Sequence, residues 1–126
     1  MNVRDAGVRD AGVRDAGIRI TVLAVPGCPN VPVVRERIAA AREGHAVAVE
    51  FVEVSDEATA TRWHMTGSPT LLLDGVDPFA VPGAGPSLSC RLYRHTDGTT
   101  DGAPSEADLR RVLAASGPAG TTSKQR

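Results

Sequence analysis

The chain is poor in aromatic residues and in cysteine, and it has no surplus of charge of one sign. Its 126 residues include two Phe, one Trp, one Tyr and two Cys, and 14 basic residues are balanced by 15 acidic ones. Few aromatic rings argue against a platform for stacking nucleic-acid bases, and balanced charge argues against binding to nucleic acid or to an anionic membrane. Two cysteines are too few for a disulfide scaffold, which favours a reducing, cytoplasmic location.

Long apolar runs and several functional motifs are also missing. No stretch approaches the roughly 20 apolar residues that span a bilayer, and the charged N-terminus lacks the apolar region of a signal peptide. The sequence contains no Gly-rich phosphate loop, no Gly-x-Ser-x-Gly motif and no zinc-like spacing of cysteine and histidine. We therefore expect no membrane-spanning segment, no serine hydrolase, no metal and no other cofactor.

Three segments differ in pattern. Residues 1–17 contain three copies of Val-Arg-Asp-Ala-Gly, a period of five that fits neither a helix nor a strand, and we interpret them as a disordered leader. Residues 18–116 alternate apolar and amphipathic stretches and are expected to form one domain. The polar residues 117–126 are expected to be a disordered tail. Removal of residues 2–16 should therefore leave the melting temperature almost unchanged.

The apolar periodicity of residues 18–116 predicts the order β-α-β-α-β-β-α. This α/β order gives a mixed four-stranded sheet with helices on both faces, and the first β-α-β unit implies a parallel pair with a right-handed crossover. A loop over residues 76–88 precedes the last strand, which is expected to return antiparallel to the third. The predicted strands cover 18–25, 46–54, 71–73 and 88–93, and the predicted helices begin near residues 29, 56 and 105. Gly44 is expected to end the first helix, Ser55 to cap the second, and Ser105 to cap the third in a pattern completed by Asp108.

The stretch 22–30 carries the main functional signal. An apolar strand pattern breaks at Pro26-Gly27, Cys28 follows where a helix N-cap would lie, and Pro29 takes the first helical position, which favours proline. Free amide groups and the helix dipole at such a position favour a thiolate over a thiol. Cys28 is therefore the candidate nucleophile, and the alternative is a small, buried apolar residue.

The same region resembles thioredoxins. The resemblance lies in the element order, in a cysteine between the first strand and the first helix, and in the Gly-Ser-Pro-Thr segment that opens the third strand. It covers roughly residues 18–116 and implies a thioredoxin-like three-layer sandwich. Thioredoxins carry Cys-x-x-Cys, whereas Val31 here replaces the second cysteine. The resemblance implies that Pro69 is cis and lies against Cys28, and that Ser68, with Pro29 and Asn30, faces bound substrate.

Four short motifs resemble a narrower group. The segments Cys-Pro-Asn, Gly-Ser-Pro-Thr, Asp-Gly-x-Asp-Pro-Phe and Cys-Arg-Leu-Tyr are similar to those of small actinobacterial thioredoxin-like proteins, some of which are grouped with alkylmercury lyases. Within the third motif, Asp74 and Asp77 flank a turn, and turn formation is sufficient to explain both. The likeness implies a role for cysteine thiolates, with Cys90 as a possible second thiol beside Cys28.

Three functions follow from these patterns. The first is a thiol protein whose single reactive cysteine, Cys28, forms mixed disulfides or adducts with a thiol-containing protein or small molecule. The second is organomercurial cleavage of the alkylmercury lyase kind, which needs two converging thiols. The third is a non-catalytic binding module. The predicted topology places Cys90 at the far end of the sheet from Cys28, so we expect no disulfide between them and interpret Cys90 as a packed sheet residue.

Overall fold

The computed structural model describes residues 17–116, which form a mixed α/β fold with three helices and seven strands. The predicted leader, apart from Gly17, and the predicted tail lie outside this range. The first strand begins at Ile18, where the folded domain was expected to start. In chain order the elements are β1 (Ile18–Ala24), α1 (Val31–Ala41), β2 (Val47–Glu53), α2 (Glu57–Trp63), β3 (Thr66–Ser68), β4 (Thr70–Leu73), β5 (Ser87–Cys90), β6 (Tyr93–Arg94), β7 (Thr100–Asp101) and α3 (Glu106–Ser116).

The central sheet has the strand order β2-β1-β4. β1 pairs in parallel with β2, from Ile18 opposite Val47 onwards, and antiparallel with β4, where Leu23 lies opposite Thr70. The parallel pair joined through α1 is the predicted β-α-β unit. Apart from Arg19, every residue of β1 is buried, because the strand has a neighbour on each edge and apolar side chains on both faces.

Two apolar clusters pack on opposite faces of this sheet, as the alternation of side chains along β1 and β4 requires. On one face α1 and α3 cover β1, with Val34, Ile38, Leu109 and Leu113 at 2% exposure or less. On the other face Leu23 and Leu72 pack with Ala60 of α2, with Val54 and with Met65.

The expected last strand is divided, and its direction differs from the prediction. β5 pairs in parallel with β3, and β6 pairs antiparallel with β7, so the described residues form sheets of three, two and two strands. The chain returns through residues 74–86 before β5 begins, which places Ser87 opposite Thr66 and Cys90 opposite Ser68. The expectation that Cys90 lies at the far end of the sheet is therefore wrong.

The start of α1 also differs from the prediction. Asn30 is the N-cap, Val31 is the first helical residue and Pro32 is the second. The Val31 N–H donates to the Cys28 carbonyl at 3.2 Å, so Cys28 belongs to a turn two residues ahead of the cap. Helix α1 ends at Ala41 with Arg42 as its C-cap, rather than at Gly44.

The other two helices begin at capping side chains. An Asp56 carboxylate oxygen accepts the Thr59 N–H at 2.8 Å, so Asp56, not Ser55, caps α2. The Ser105 hydroxyl accepts the Asp108 N–H at 3.0 Å, as the predicted capping pattern requires. None of the helices within residues 17–116 has the length and apolar character needed to cross a membrane.

Candidate functional site

Cys28 lies in the turn that joins β1 to α1. Its N–H donates to the Val25 carbonyl and its own carbonyl accepts the Val31 N–H, both at 3.2 Å. These two bonds fix the cysteine backbone on both sides. Only 6% of the residue is exposed, so the thiol is withdrawn from the open surface.

The cysteine lines a pocket of about 370 Å³ between α1 and the C-terminal ends of β1 and β2. Apart from two charged side chains, Arg35 and Glu53, the walls are made by small and apolar residues. They are Val22, Ala24, Val25, Gly27, Cys28, Val31, Pro32, Phe51 and Val52. The pocket wall is therefore mostly apolar, with one cysteine, one cationic and one anionic side chain among its lining residues.

Arg35 covers one wall of this pocket. Its guanidinium carbon lies 4.1 Å from the centroid of the Phe51 ring, within the range of a cation–π contact. The arginines that form ion pairs within residues 17–116 are Arg19, Arg37, Arg91, Arg110 and Arg111. Within the same range Arg35 has no carboxylate partner, so its charge is available to a ligand.

The Ser68–Pro69 peptide is cis, as the resemblance to thioredoxins implies. The Ser68 hydroxyl oxygen accepts the Val25 N–H at 3.1 Å, which ties this segment to the end of β1. Neither Ser68 nor Pro69 is among the residues that line the Cys28 pocket. Val25 thus bonds to both Cys28 and the Ser68 side chain, whereas the expected contact of Pro69 with Cys28 stays a prediction.

Cys90 occupies the opposite side of Ser68. It is exposed, so its interpretation as a packed sheet residue is wrong. The N–H of the next residue, Arg91, donates to the Ser68 carbonyl at 3.0 Å. Ser68 is therefore hydrogen-bonded to Val25 through its side chain and to Arg91 through its carbonyl. Both cysteines are free, so no disulfide joins them.

The remaining predicted substrate residues lie away from the pocket. Pro29 is exposed in the turn. The Asn30 side chain makes no capping hydrogen bond and packs against Gly102, where a Cβ atom would lie 2.3 Å from the Asn30 amide nitrogen. Asn30 thus contacts the segment before α3, and neither residue lines the cavity beside Cys28.

A buried ion pair beside the Ser68–Pro69 segment was not predicted from the sequence. Arg91 Nη1 lies 2.8 Å from Asp77 Oδ2, and the two side chains are 6% and 12% exposed. The guanidinium also donates to the hydroxyls of Thr66 and Thr70, at 3.2 and 3.4 Å, and to the Phe79 carbonyl at 2.6 Å. One cation therefore connects β3, β4 and the loop that follows them.

Tyr93 completes this cluster. The Arg91 guanidinium carbon lies 4.4 Å from its ring centroid, and its hydroxyl donates to the Pro69 carbonyl at 2.6 Å. Burial raises the pKa of the Tyr93 hydroxyl above its ordinary value and outweighs the nearby charge of Arg91, which acts in the opposite direction. The hydroxyl therefore stays protonated and can donate its hydrogen bond. The Cys-Arg-Leu-Tyr motif contained both residues, but only the cysteine was singled out.

Within residues 17–116, no three His, Cys, Asp or Glu side chains converge as metal ligands would. Comparison with protein-family models, with curated proteins and with solved structures found no match.

Proposed function

We propose that this protein is a thioredoxin-like thiol protein in which Cys28 forms mixed disulfides with ligands held in the pocket between α1 and the ends of β1 and β2. The observation that carries the proposal is that Cys28 is 6% exposed and yet lines a cavity of about 370 Å³. A thiol placed in this way meets molecules that fit the cavity and is shielded from larger ones.

Element order supports the thioredoxin-like part of the proposal. A β-α-β unit with parallel strands is followed by a helix and by a strand that is antiparallel to β1, and a cis-proline precedes that strand. The hydrogen bond from Val25 to Ser68 brings β3, and with it β5, next to the central sheet. This contact supports the proposal that β3 and β5 extend the three-stranded central sheet.

The chemistry is thiol–disulfide exchange. The Cys28 thiolate attacks one sulfur of a disulfide R–S–S–R′, the S–S bond of the ligand breaks, and a Cys28–S–S–R bond forms. The electron pair leaves with R′–S⁻, which takes up the proton that Cys28 released. Because Val31 stands where a second cysteine would resolve this adduct, the mixed disulfide persists until another thiol attacks it.

Native-state modification of Cys28 tests the proposal. A small disulfide such as 4,4′-dithiodipyridine should modify Cys28 of the folded Cys90→Ser variant stoichiometrically, and Cys28→Ser/Cys90→Ser should not react. A maleimide on a 5-kDa polymer, which exceeds the cavity, should react much more slowly. Modification of Cys28 only in urea would contradict the proposal and favour the non-catalytic binding module.

The position of Cys90 favours a second candidate, organomercurial cleavage of the alkylmercury lyase kind. Cys90 lies opposite Ser68 on the paired strand. Ser68 accepts the N–H of Val25 just ahead of the Cys28 turn, and thiolates are preferred ligands of soft metals. In this reaction the C–Hg bond would break, the carbon would take the proton released by one of the two thiols and leave as R–H, and Hg(II) would stay bound by both thiolates. Methane release from methylmercury that requires both Cys28 and Cys90 would support this function over disulfide exchange.

A further inference from the structure

We infer that the Cys28 pocket extends along α1 into a groove that selects disulfides with an apolar body and an anionic group, and that Arg35 determines this specificity. The inference rests on the proposed reactivity of Cys28. It names the ligand class, which the proposed function leaves open, and assigns a role to a residue outside the reacting turn.

The groove consists of two adjoining cavities. The second cavity, of about 280 Å³, is lined by Arg35, Ile38, Ala39, Arg42, Val49 and Phe51. It shares Arg35 and Phe51 with the cavity beside Cys28, so the two meet at this arginine–phenylalanine contact. Arg35 and Arg42 are seven residues apart, which is about two helical turns, or ~10 Å along α1. A ligand attached at Cys28 can therefore pass Arg35 and reach the second cavity.

The groove is open because β2 lies at the edge of the central sheet, and it is apolar because of the side chains that β2 presents there. β2 is the outer strand of the central sheet, so no further strand of the described chain covers it. Its inward-facing Val49 and Phe51 are only partly buried against α1. Half-buried apolar side chains of this kind gain from contact with an apolar ligand.

Charge distribution along the groove explains the preference for an anion. The acidic lining residue, Glu53, belongs to the Cys28 end, whereas the second cavity is lined by two arginines and no acid. The Arg42 guanidinium donates a hydrogen bond to the Val47 carbonyl, so one of its N–H groups is already used by the backbone. Arg35 stacks on Phe51 and lacks a carboxylate partner within residues 17–116. An anionic group on the ligand is therefore expected to contact Arg35.

Two aromatic disulfides of similar size and different charge provide the test. In 5,5′-dithiobis(2-nitrobenzoate) each ring carries a carboxylate, whereas 4,4′-dithiodipyridine is neutral at pH 7.5. Both release a thiol with its own absorbance band, visible for the nitrobenzoate and near-ultraviolet for the dipyridine, so the second-order rate constant for Cys28 follows from absorbance. The full chain is used with Cys90→Ser, so that Cys28 is the single reacting thiol.

Arg35→Gln is expected to slow the nitrobenzoate about tenfold and to leave the dipyridine rate within about twofold. Arg35→Lys, which keeps the charge, should restore most of the nitrobenzoate rate. The matched control is Arg62→Gln on α2, which removes one exposed positive charge outside both cavities and should change neither rate. Circular dichroism melting confirms that each variant is folded.

Two results would overturn the inference while leaving the proposed function intact. If Arg35→Gln slows both probes equally, Arg35 covers Phe51 and does not select charge. If it slows neither, the ligand does not reach Arg35. Failure of Cys28 to react with either probe in the folded parent protein would instead refute the proposed function itself.

Discussion

Arg91 and Asp77 form an ion pair at 2.8 Å that is almost excluded from solvent, although the two residues lie on opposite sides of an exposed loop. The residue before Arg91 is Cys90, and the Arg91 N–H bonds to Ser68. Arg91 therefore holds the C-terminal end of β5 against the cis-proline segment, which places the second thiol beside that segment. The contribution of this ion pair to the free energy of unfolding can be measured by substitution.

Arg91→Met should destabilise the protein by about 3–5 kcal/mol, because it leaves Asp77 as a buried carboxylate without a cation. Urea unfolding monitored by circular dichroism measures the loss. In the double variant Arg91→Met/Asp77→Asn the orphaned charge is gone, so part of the loss should be recovered. Exposed Arg94 provides the control Arg94→Met. A loss below about 1 kcal/mol for Arg91→Met would show that the pair contributes little.

Gly67→Ala should also be strongly destabilising, by at least about 2 kcal/mol. Gly67 has φ of +139°, and a Cβ there would lie 2.7 Å from the Cβ of Arg91, so both backbone strain and overlap oppose the substitution. Gly98 also has a positive φ, of +93°, but has no atom within 4 Å of a built Cβ. Equal melting temperatures for Gly67→Ala and Gly98→Ala would rule out the close approach of Arg91 as a cause.

Acid should weaken the fold through Asp108. Burial disfavours its charged form, but hydrogen bonds from Arg111, Thr96 and Ser105 outweigh that effect and lower the pKa of Asp108 to about 2 from 3.8. Because the folded state binds this proton less tightly than the unfolded state, the carboxylate contributes stability above about pH 4. That contribution is lost as the pH falls from about 4 to about 2.

Asp108→Asn should consequently be less stable than the parent at pH 7 and should lose less stability between pH 5 and pH 2.5. The measurement is the urea midpoint as a function of pH. Asp101 contributes in the same direction, because a hydrogen bond from Arg37 lowers its pKa to about 2, and it remains in the variant. Parallel pH profiles for the parent and Asp108→Asn would exclude Asp108 as a source of acid sensitivity.

Mild oxidation should leave Cys28 and Cys90 unbridged in the folded monomer. The reason given from the sequence, that Cys90 lies at the far end of the sheet, is wrong, but both cysteines are free in the structure, Cys28 buried and Cys90 exposed. Peptide mapping by mass spectrometry after treatment with diamide checks this. A high yield of the Cys28–Cys90 peptide pair from native monomer would contradict it.

Local patterns predicted a large part of the fold. Apolar runs located β1, β2 and the strand after Pro69, and capping chemistry identified Ser105, because each of these features depends on neighbours in sequence. The start of α1 was placed two residues early. Pro29 and Pro32 both suit a first helical turn, and sequence alone does not reveal that Cys28 belongs to a preceding turn.

Long-range features escaped prediction. The direction of β5 depends on how residues 74–86 cross the edge of the sheet, and no local pattern encodes that path. A turn was sufficient to explain Asp77, so no sequence pattern supplied a reason to pair it with Arg91, fourteen positions later. Cys28 was identified, whereas its pocket was not, because Phe51 and Arg35 meet only when α1 lies over β2.

The loop that follows β4 is anchored by hydrogen bonds at both ends and is exposed to solvent between them. Arg91 donates to the Phe79 carbonyl, and Ser87 bonds to Met65, whereas residues 80–86 are all exposed. Foreign sequence can therefore be spliced into this stretch with little effect on the rest of the chain. A fluorescent reporter inserted there would lie a few residues before Cys90 in the sequence and would leave the anchored ends of the loop in place.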